Sequence, residues 1–302
     1  MITYFQEHIG EGASLLTALL WTITALAFES ASLKVGSLPV NIIRMFMGFF
    51  FISIFLWIYK GQFIPLDASK HNWIWLSVSG LIGFVFGDLF LFRSFTIIGS
   101  RFAMLIMTLV PPLTALLGWF ILKEKLLLFQ VIGMVLTFLG ITLAVFNHQN
   151  GLKKFTLKLS PKGVLFAFGG ALGQAGGLIA GKYGMGEYDP FAATQIRIIA
   201  GCIGFLILLM INGKVNLVIS AVKNTVAMKR TMVGAFFGLF LGVSLAQVAI
   251  QHTETGIAST IMSLVPILII PPTLIIYKQK ITFWEVVGAF VSVIGVTLFF
   301  IH

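Results

Sequence analysis

The chain has 302 residues, 58% of them hydrophobic and only 10% charged, with a mean hydropathy of +1.03. Water-soluble domains carry roughly a quarter charged residues, so this composition excludes a soluble globular protein. The net charge of +10 therefore points to anionic lipid headgroups, not nucleic acid, as partner of the basic residues.

About 20 apolar residues cross a bilayer as a helix. Ten such runs follow one another, at about 13–33, 40–59, 73–97, 101–122, 126–147, 163–183, 190–212, 231–252, 256–277 and 281–301 (spans 1 to 10). They are apolar all round and lack the period-two alternation of barrel strands. The start, "MITYFQEHIGEG", has no basic region of a secretory signal. The expected fold is an all-α integral membrane protein with ten transmembrane helices.

An ionisable group at mid-bilayer costs about 2.5–3.5 kcal/mol on insertion scales, so the polar residues within the spans are the candidates for function. Span 1 carries Trp21, a stacking surface or ordinary packing, and Glu29, at a cavity rim or beside Lys34. Span 2 opens with "PVNIIR", placing Asn41 and Arg44 about one turn inside. In span 3, "GFVFGDLFLFR" puts Asp88 well within the membrane; Arg93 lies five residues on, roughly 140° round the helix, so the two do not share a face. Span 6 contains Gln174 in "GGALGQAGG", where small-xxx-small spacing lets helices press together. Span 7 opens with "PFAATQIR", carrying Gln195 and Arg197, and holds the lone Cys202, which rules out a disulfide within the chain. Span 8 carries Gln247 and ends near His252 and Glu254. Pro111, Pro112, Pro266, Pro271 and Pro272 interrupt spans 4 and 9, removing backbone hydrogen bonds; they are expected as kinks or hinges. Arg44 and Arg197 occupy equivalent places and would clamp an anionic group, or else snorkel to the headgroups. Asp88, kept from water, would exchange a proton, or else form a static ion pair with an Arg of another helix.

The sequence repeats. "MTLVPPL" at 107–113 returns as "MSLVPIL" at 262–268, an offset of 155 that also pairs Gly83 with Gly238, Gly87 with Gly242, Gly133 with Gly288 and Gly140 with Gly295. Earlier, Gly12 aligns with Gly163, Pro39 with Pro190 and Arg44 with Arg197 at offsets of 151 to 153. The expected division is a first five-helix repeat over 1–148, a basic linker over 149–162 and a second repeat over 163–302. Five is odd, so equivalent helices must cross the membrane in opposite senses: a 5+5 inverted-topology repeat. Twelve Lys and Arg on the side of Lys34, Lys162 and Lys214 against five on the side of Lys60 and Lys70 put the first side in the cytoplasm and the termini outside.

The stretches "FRSFTIIGSRFAML", "LVPPLTALLGWFILKEKL" and "QVIGMVLTFLGITL", with looser copies in the second half, are similar to the EamA branch of the drug/metabolite transporter superfamily. The resemblance spans essentially the whole chain. It implies a ten-helix carrier or exporter of small metabolites, with a cavity lined by helices one to four and six to nine, and helices five and ten outside as supports. It also implies termini inside, against the charge count. The family's acidic residue after the fourth helix is present as Glu124 and replaced by Gln279 in the second copy.

The functional reading is a secondary transporter for small metabolites (amino acids or related organic compounds, and drugs), working by alternating access as an exporter with proton coupling. Its setting is a bacterial inner membrane, as monomer or homodimer, with a small-molecule substrate and no cofactor or metal. A receptor or scaffold is the alternative. An intramembrane enzyme is the most remote reading, because Val85 and Phe86 break the Gly-x-Gly-Asp spacing of membrane aspartyl proteases.

Overall fold

A computed structural model describes residues 8–122, 128–148, 155–157, 159–252, 258, 261–277 and 282–298. Glu124, Glu254 and Gln279 lie outside the described residues. The first half runs through α1 (Ile9–Val35), α2 (Ser37–Lys60), α3 (Lys70–Gly80), a π-helical stretch (Leu81–Gly87), α4 (Asp88–Ile106), α5 (Val110–Leu122) and α6 (Leu128–Val145). The second half runs through α7 (Pro161–Met185), α8 (Pro190–Asn212), α9 (Val215–Val222), α10 (Thr225–Gly234), a second π-helical stretch (Ala235–Gly242), α11 (Val243–His252), α12 (Val265–Leu268), α13 (Ile270–Tyr277) and α14 (Phe283–Leu298). Between the halves, β1 (Phe146–His148) pairs antiparallel with β2 (Phe155–Leu157). The end of span 5 and residues 155–157 of the expected linker thus pair as two short strands.

Among the described residues, six helices are long and apolar enough to cross a membrane. One of them, Lys70–Leu117, has 48 residues. As one straight helix it would measure about 70 Å at 1.5 Å per residue, more than twice the hydrocarbon core. It breaks at Gly99, whose φ of 80° and ψ of 158° leave the helical region; this break separates spans 3 and 4. The ends are set by local chemistry. Ser69 and Asn72 form a reciprocal capping box at the start of α3, and Asp189 caps α8 ahead of Pro190.

Polarity is distributed inside out. Large apolar side chains such as Leu19, Ile23, Phe50 and Trp57 face outward, while Ser14, Thr17, Ser53, Ser94 and Thr194 are buried. Many inner hydroxyls bond the carbonyl four residues back, as Ser14 to Gly10 and Thr17 to Ala13 do. The helices therefore satisfy their own polar groups where no water reaches.

The two halves interlock through glycine. Gly184, Gly177, Gly173, Gly170 and Gly163 of α7 meet Trp75, Gly83, Gly87, Leu91 and Ile98 in that order, so α7 runs antiparallel to the α3–α4 rod. A Cβ on Gly177 would lie 2.9 Å from Gly83 Cα, so the two backbones touch there. Likewise Gly242, Gly238 and Gly234 meet Trp21, Thr24 and Phe28 of α1 in turn, again antiparallel. The equivalent helices α6 and α14 also pack antiparallel. Thr137 and Ser292 exchange hydroxyl-to-carbonyl bonds of 3.4 Å, Gly140 lies against Gly288, and Thr137 meets Gly295.

The prolines sit where the helical rods change pitch. A 3-10 turn at Met107–Leu109 precedes Pro111 and Pro112, which occupy the first turn of α5. Pro266 sits in the first turn of α12, and Pro271 and Pro272 in the first turn of α13. Each proline leaves one carbonyl of the preceding turn without its helical N–H, and the pitch changes there. Spans 4 and 9 are segmented, with prolines opening the segments.

Candidate functional site

A cavity of about 160 Å³ lies among α1, α2, α4, α5, α7, α8, α11, α12 and both π stretches. Where one water needs roughly 10–15 Å³, this is room for about ten waters or a ligand of similar heavy-atom count. The repeated heptapeptides line it from both halves: Met107, Thr108, Val110 and Pro111 on one side, and their equivalents Met262, Ser263, Val265 and Pro266 on the other. No described residue of α6 or α14 contributes to the lining.

Its polar heart begins at the end of the first π stretch. Asp88 Oδ2 accepts from Arg44 Nη2 at 2.5 Å, and Oδ1 accepts from Gln174 Nε2 at 2.9 Å. Asn41 fixes the arrangement from behind. Its Oδ1 accepts from Arg44 Nε at 3.0 Å, and its Nδ2 donates to the Asp88 carbonyl at 3.2 Å. Asn41 and Arg44 can cooperate because residues three apart share a helix face. The Arg44 guanidinium also lies over Phe92, 4.5 Å from the ring centroid, and 5.3 Å from that of Phe28. Of the two readings of Asp88, the structure displays the ion pair between helices.

Arg197 reaches the cavity from α8 and is only 3% exposed. It lies over Phe84 at 4.8 Å. Its Nε has no hydrogen-bond partner among the described residues. A Cβ on Gly181 would lie 3.9 Å from Arg197 Cζ and 3.7 Å from Gln247 Nε2, so these side chains stand side by side over bare α7 backbone. Gln247 Oε1 is buried and likewise unpartnered among the described residues. Gly80 admits the close approach of α8, since a Cβ there would run into the Arg197 carbonyl. Trp21 lines the cavity beside Gly242. The equivalent arginines are thus inequivalent in environment: Arg44 is ion-paired, and Arg197 has no ion pair among the described residues.

Three sequence candidates fall elsewhere. Arg93 is exposed on the outer face of α4. Gln195 turns away from Arg197 and donates to Ser53 Oγ and the Phe63 carbonyl, each at 2.7 Å, tying α8 to the end of α2. Two residues along a helix is about 200°, so these neighbours cannot share a face. Glu29 accepts from Ser100 Oγ at 2.5 Å, directly after the Gly99 break. Its carboxylate sits at the N-terminus of the helical half that begins there, a favourable place for negative charge. Next to it, Arg101 Nη2 pairs with Glu285 Oε2 at 3.0 Å, both well buried. Arg230 of α10 also bonds Ser30 Oγ. The Arg101–Glu285 contact was invisible in sequence, because it joins residues on opposite sides of the repeat boundary.

At the opposite end of the helices, Lys60 pairs with Asp189 at 3.4 Å and Tyr188 donates to Asp67 at 2.7 Å. Burial and the adjacent Asp67 and Asp189 carboxylates push the Tyr188 phenol well above its ordinary range. His252 is exposed, its Nδ1 3.0 Å from the Val248 carbonyl, so it lies at this rim and not in the cavity.

A twice-built bundle of apolar helices around a polar-centred cavity is the architecture of a multi-pass membrane transporter. The profile of the EamA-like transporter family matches residues 8–146 and again 161–301. The chain belongs to that family, whose members are transporters and not enzymes. The uncharacterized transporter YxxF of Bacillus subtilis (strain 168) is 28% identical over 173 residues, covering 57% of this chain and 54% of that one. The chain thus spans about half the length of that relative. A solved crystal structure of another protein aligns over 95% of this chain and 96% of its own at a TM-score of 0.61 and 16% identity, a likeness of fold alone.

Proposed function

We propose that this chain is a secondary transporter that carries small metabolites (amino acids, related organic compounds or drugs) out across a bacterial cell membrane by alternating access. The observation that carries the reading is the shared cavity: the same heptapeptide approaches it from both halves, around the buried Arg44–Asp88 pair and Arg197. Antiparallel packing of equivalent helices supports a ten-crossing 5+5 inverted repeat, in which the two halves exchange roles and open the cavity to one side and then the other. The segmented spans 4 and 9, opened by Pro111 and Pro266, are the proposed hinges. Proton coupling belongs to this proposal through Asp88, whose release from Arg44 would accompany opening.

Purified protein in proteoliposomes, assayed for uptake and efflux across a metabolite panel with and without a pH gradient, tests this. Saturable flux enhanced by the gradient is the expected result. Absence of flux for every compound, with folded protein confirmed in the same vesicles, returns the chain to the receptor or scaffold class.

A further inference from the structure

Among the described residues, the charges lining the cavity do not balance. Arg44, Asp88 and Arg197 contribute two guanidinium groups and one carboxylate. Both Asp88 oxygens are engaged, one by Arg44 and one by Gln174. Glu29 and Glu285, the other buried carboxylates among the described residues, belong to the separate cluster around Ser100 and Arg101. Arg197 is therefore a buried cation whose nearest counter-charge is already committed elsewhere. Leaving a charge out of water without a dedicated partner is costly. Beside it, Gln247 presents a carboxamide with one unpartnered end. Phe84 lies against Arg197, and Trp21, Phe28, Phe92, Met107 and Met262 line the same cavity.

We propose that the cavity is a binding site for a small monoanion, a carboxylate on an apolar body of about ten heavy atoms, received by Arg197 and Gln247. The guanidinium fork donates two parallel bonds to the carboxylate oxygens, and Gln247 Nε2, which stands beside the guanidinium over Gly181, is the amide atom that can donate a third. The aromatic and methionine walls take the apolar body. Among the described residues no uncommitted carboxylate lines the cavity to meet an ammonium group, so amines and zwitterions are disfavoured relative to acids of the same size. Arg44 acts as a positioning residue: it holds Asp88 and leaves Arg197 uncompensated. This inference rests on the transport reading for the ligand's passage and narrows its substrate class.

Isothermal titration of the purified full chain in detergent with phenylacetate, phenylacetamide, phenethylamine and phenylalanine tests it. Phenylacetate is expected to bind about tenfold or more tightly than the other three, and Arg197→Gln to weaken it roughly 10- to 100-fold, as loss of a charge-assisted bond requires. Arg197→Lys should retain part of the affinity. The wild-type ligand series stands by itself if a variant fails to fold. Equal binding of acid and amide, tighter binding of the amine or zwitterion, or no binding of the acid at millimolar concentration overturns the proposal. Flux of the same acid in proteoliposomes reads transport separately. Binding without flux removes the transport reading and leaves the site; amine flux without acid binding does the reverse.

Discussion

With Arg44 on one oxygen and Gln174 on the other, Asp88 cannot leave its place until one of those donors moves. Asp88→Asn strands the buried Arg44 guanidinium and should cost about 3–5 kcal/mol. Arg44→Gln combined with Asp88→Asn should recover part of that loss, because the stranded Arg44 charge goes with its partner. Thermal unfolding of the three variants in detergent measures the coupling, and strict additivity would refute it. If Asp88→Asn left pH-driven flux intact, Asp88 would have no part in coupling. A second titration belongs to the rim. The Tyr188 phenol is raised above its ordinary value, so folding favours its protonated form. Its stabilisation is complete below the unfolded value of about 10 and is lost as pH rises from there toward the folded value. Wild type should therefore lose more thermal stability between neutral pH and about pH 11 than Tyr188→Phe does; equal losses would contradict this. At this scale the sequence was readable where helical spacing alone decides. Asn41 and Arg44, three apart, do cooperate. Gln195, two residues from Arg197, reads as its companion only if that spacing is overlooked.

The π-helical stretches Leu81–Gly87 and Ala235–Gly242 fall at equivalent places in the two halves. A hydrophobic run that is apolar all round carries no phase, so nothing in its pattern reveals a local widening. The glycines at Gly83, Gly87, Gly238 and Gly242 are the one trace, and they serve equally for close packing. Such wide turns recur at functional sites, and here the first delivers Asp88 into the cavity. The glycine seams give a sharper forecast. Alanine is usually the better helix former by about 1 kcal/mol, so Gly12→Ala, with open space around it, should stabilise. Gly173→Ala drives a methyl group into the Gly87 backbone and should destabilise by about 1–3 kcal/mol. Melting curves of the two proteins should move in opposite directions. A shift of the same sign for both would mean that the α7 seam is looser than described.

The ten apolar runs and the duplication were open to inspection in the sequence, because lipid imposes a length on every span and a shared offset survives substitution. What joins the halves was not. The approach of Arg101 to Glu285 and the stitching of Gln195 to Phe63 depend on how the copies dock, and no local pattern encodes that. Docking also makes a topological forecast. Leu66, between α2 and α3, and Lys214, after α8, occupy equivalent connections of the two halves, and both are exposed. In an inverted repeat they face opposite sides of the membrane. Leu66→Cys and Lys214→Cys, each in a Cys202→Ser background, should react with an impermeant maleimide from opposite sides of sealed cells or vesicles. Labelling of both from one side would mean that the halves run in the same sense. Finally, the two ends of the molecule are fastened differently. Among the described residues, one relies on Glu29–Ser100 and on Arg101–Glu285, with side chains 12% and 5% exposed; the other relies on Lys60–Asp189, with side chains 28% and 17% exposed. Dissolved salt screens exposed charges far more than buried ones. Higher ionic strength is therefore expected to loosen the Lys60–Asp189 end and to spare the Arg101–Glu285 end.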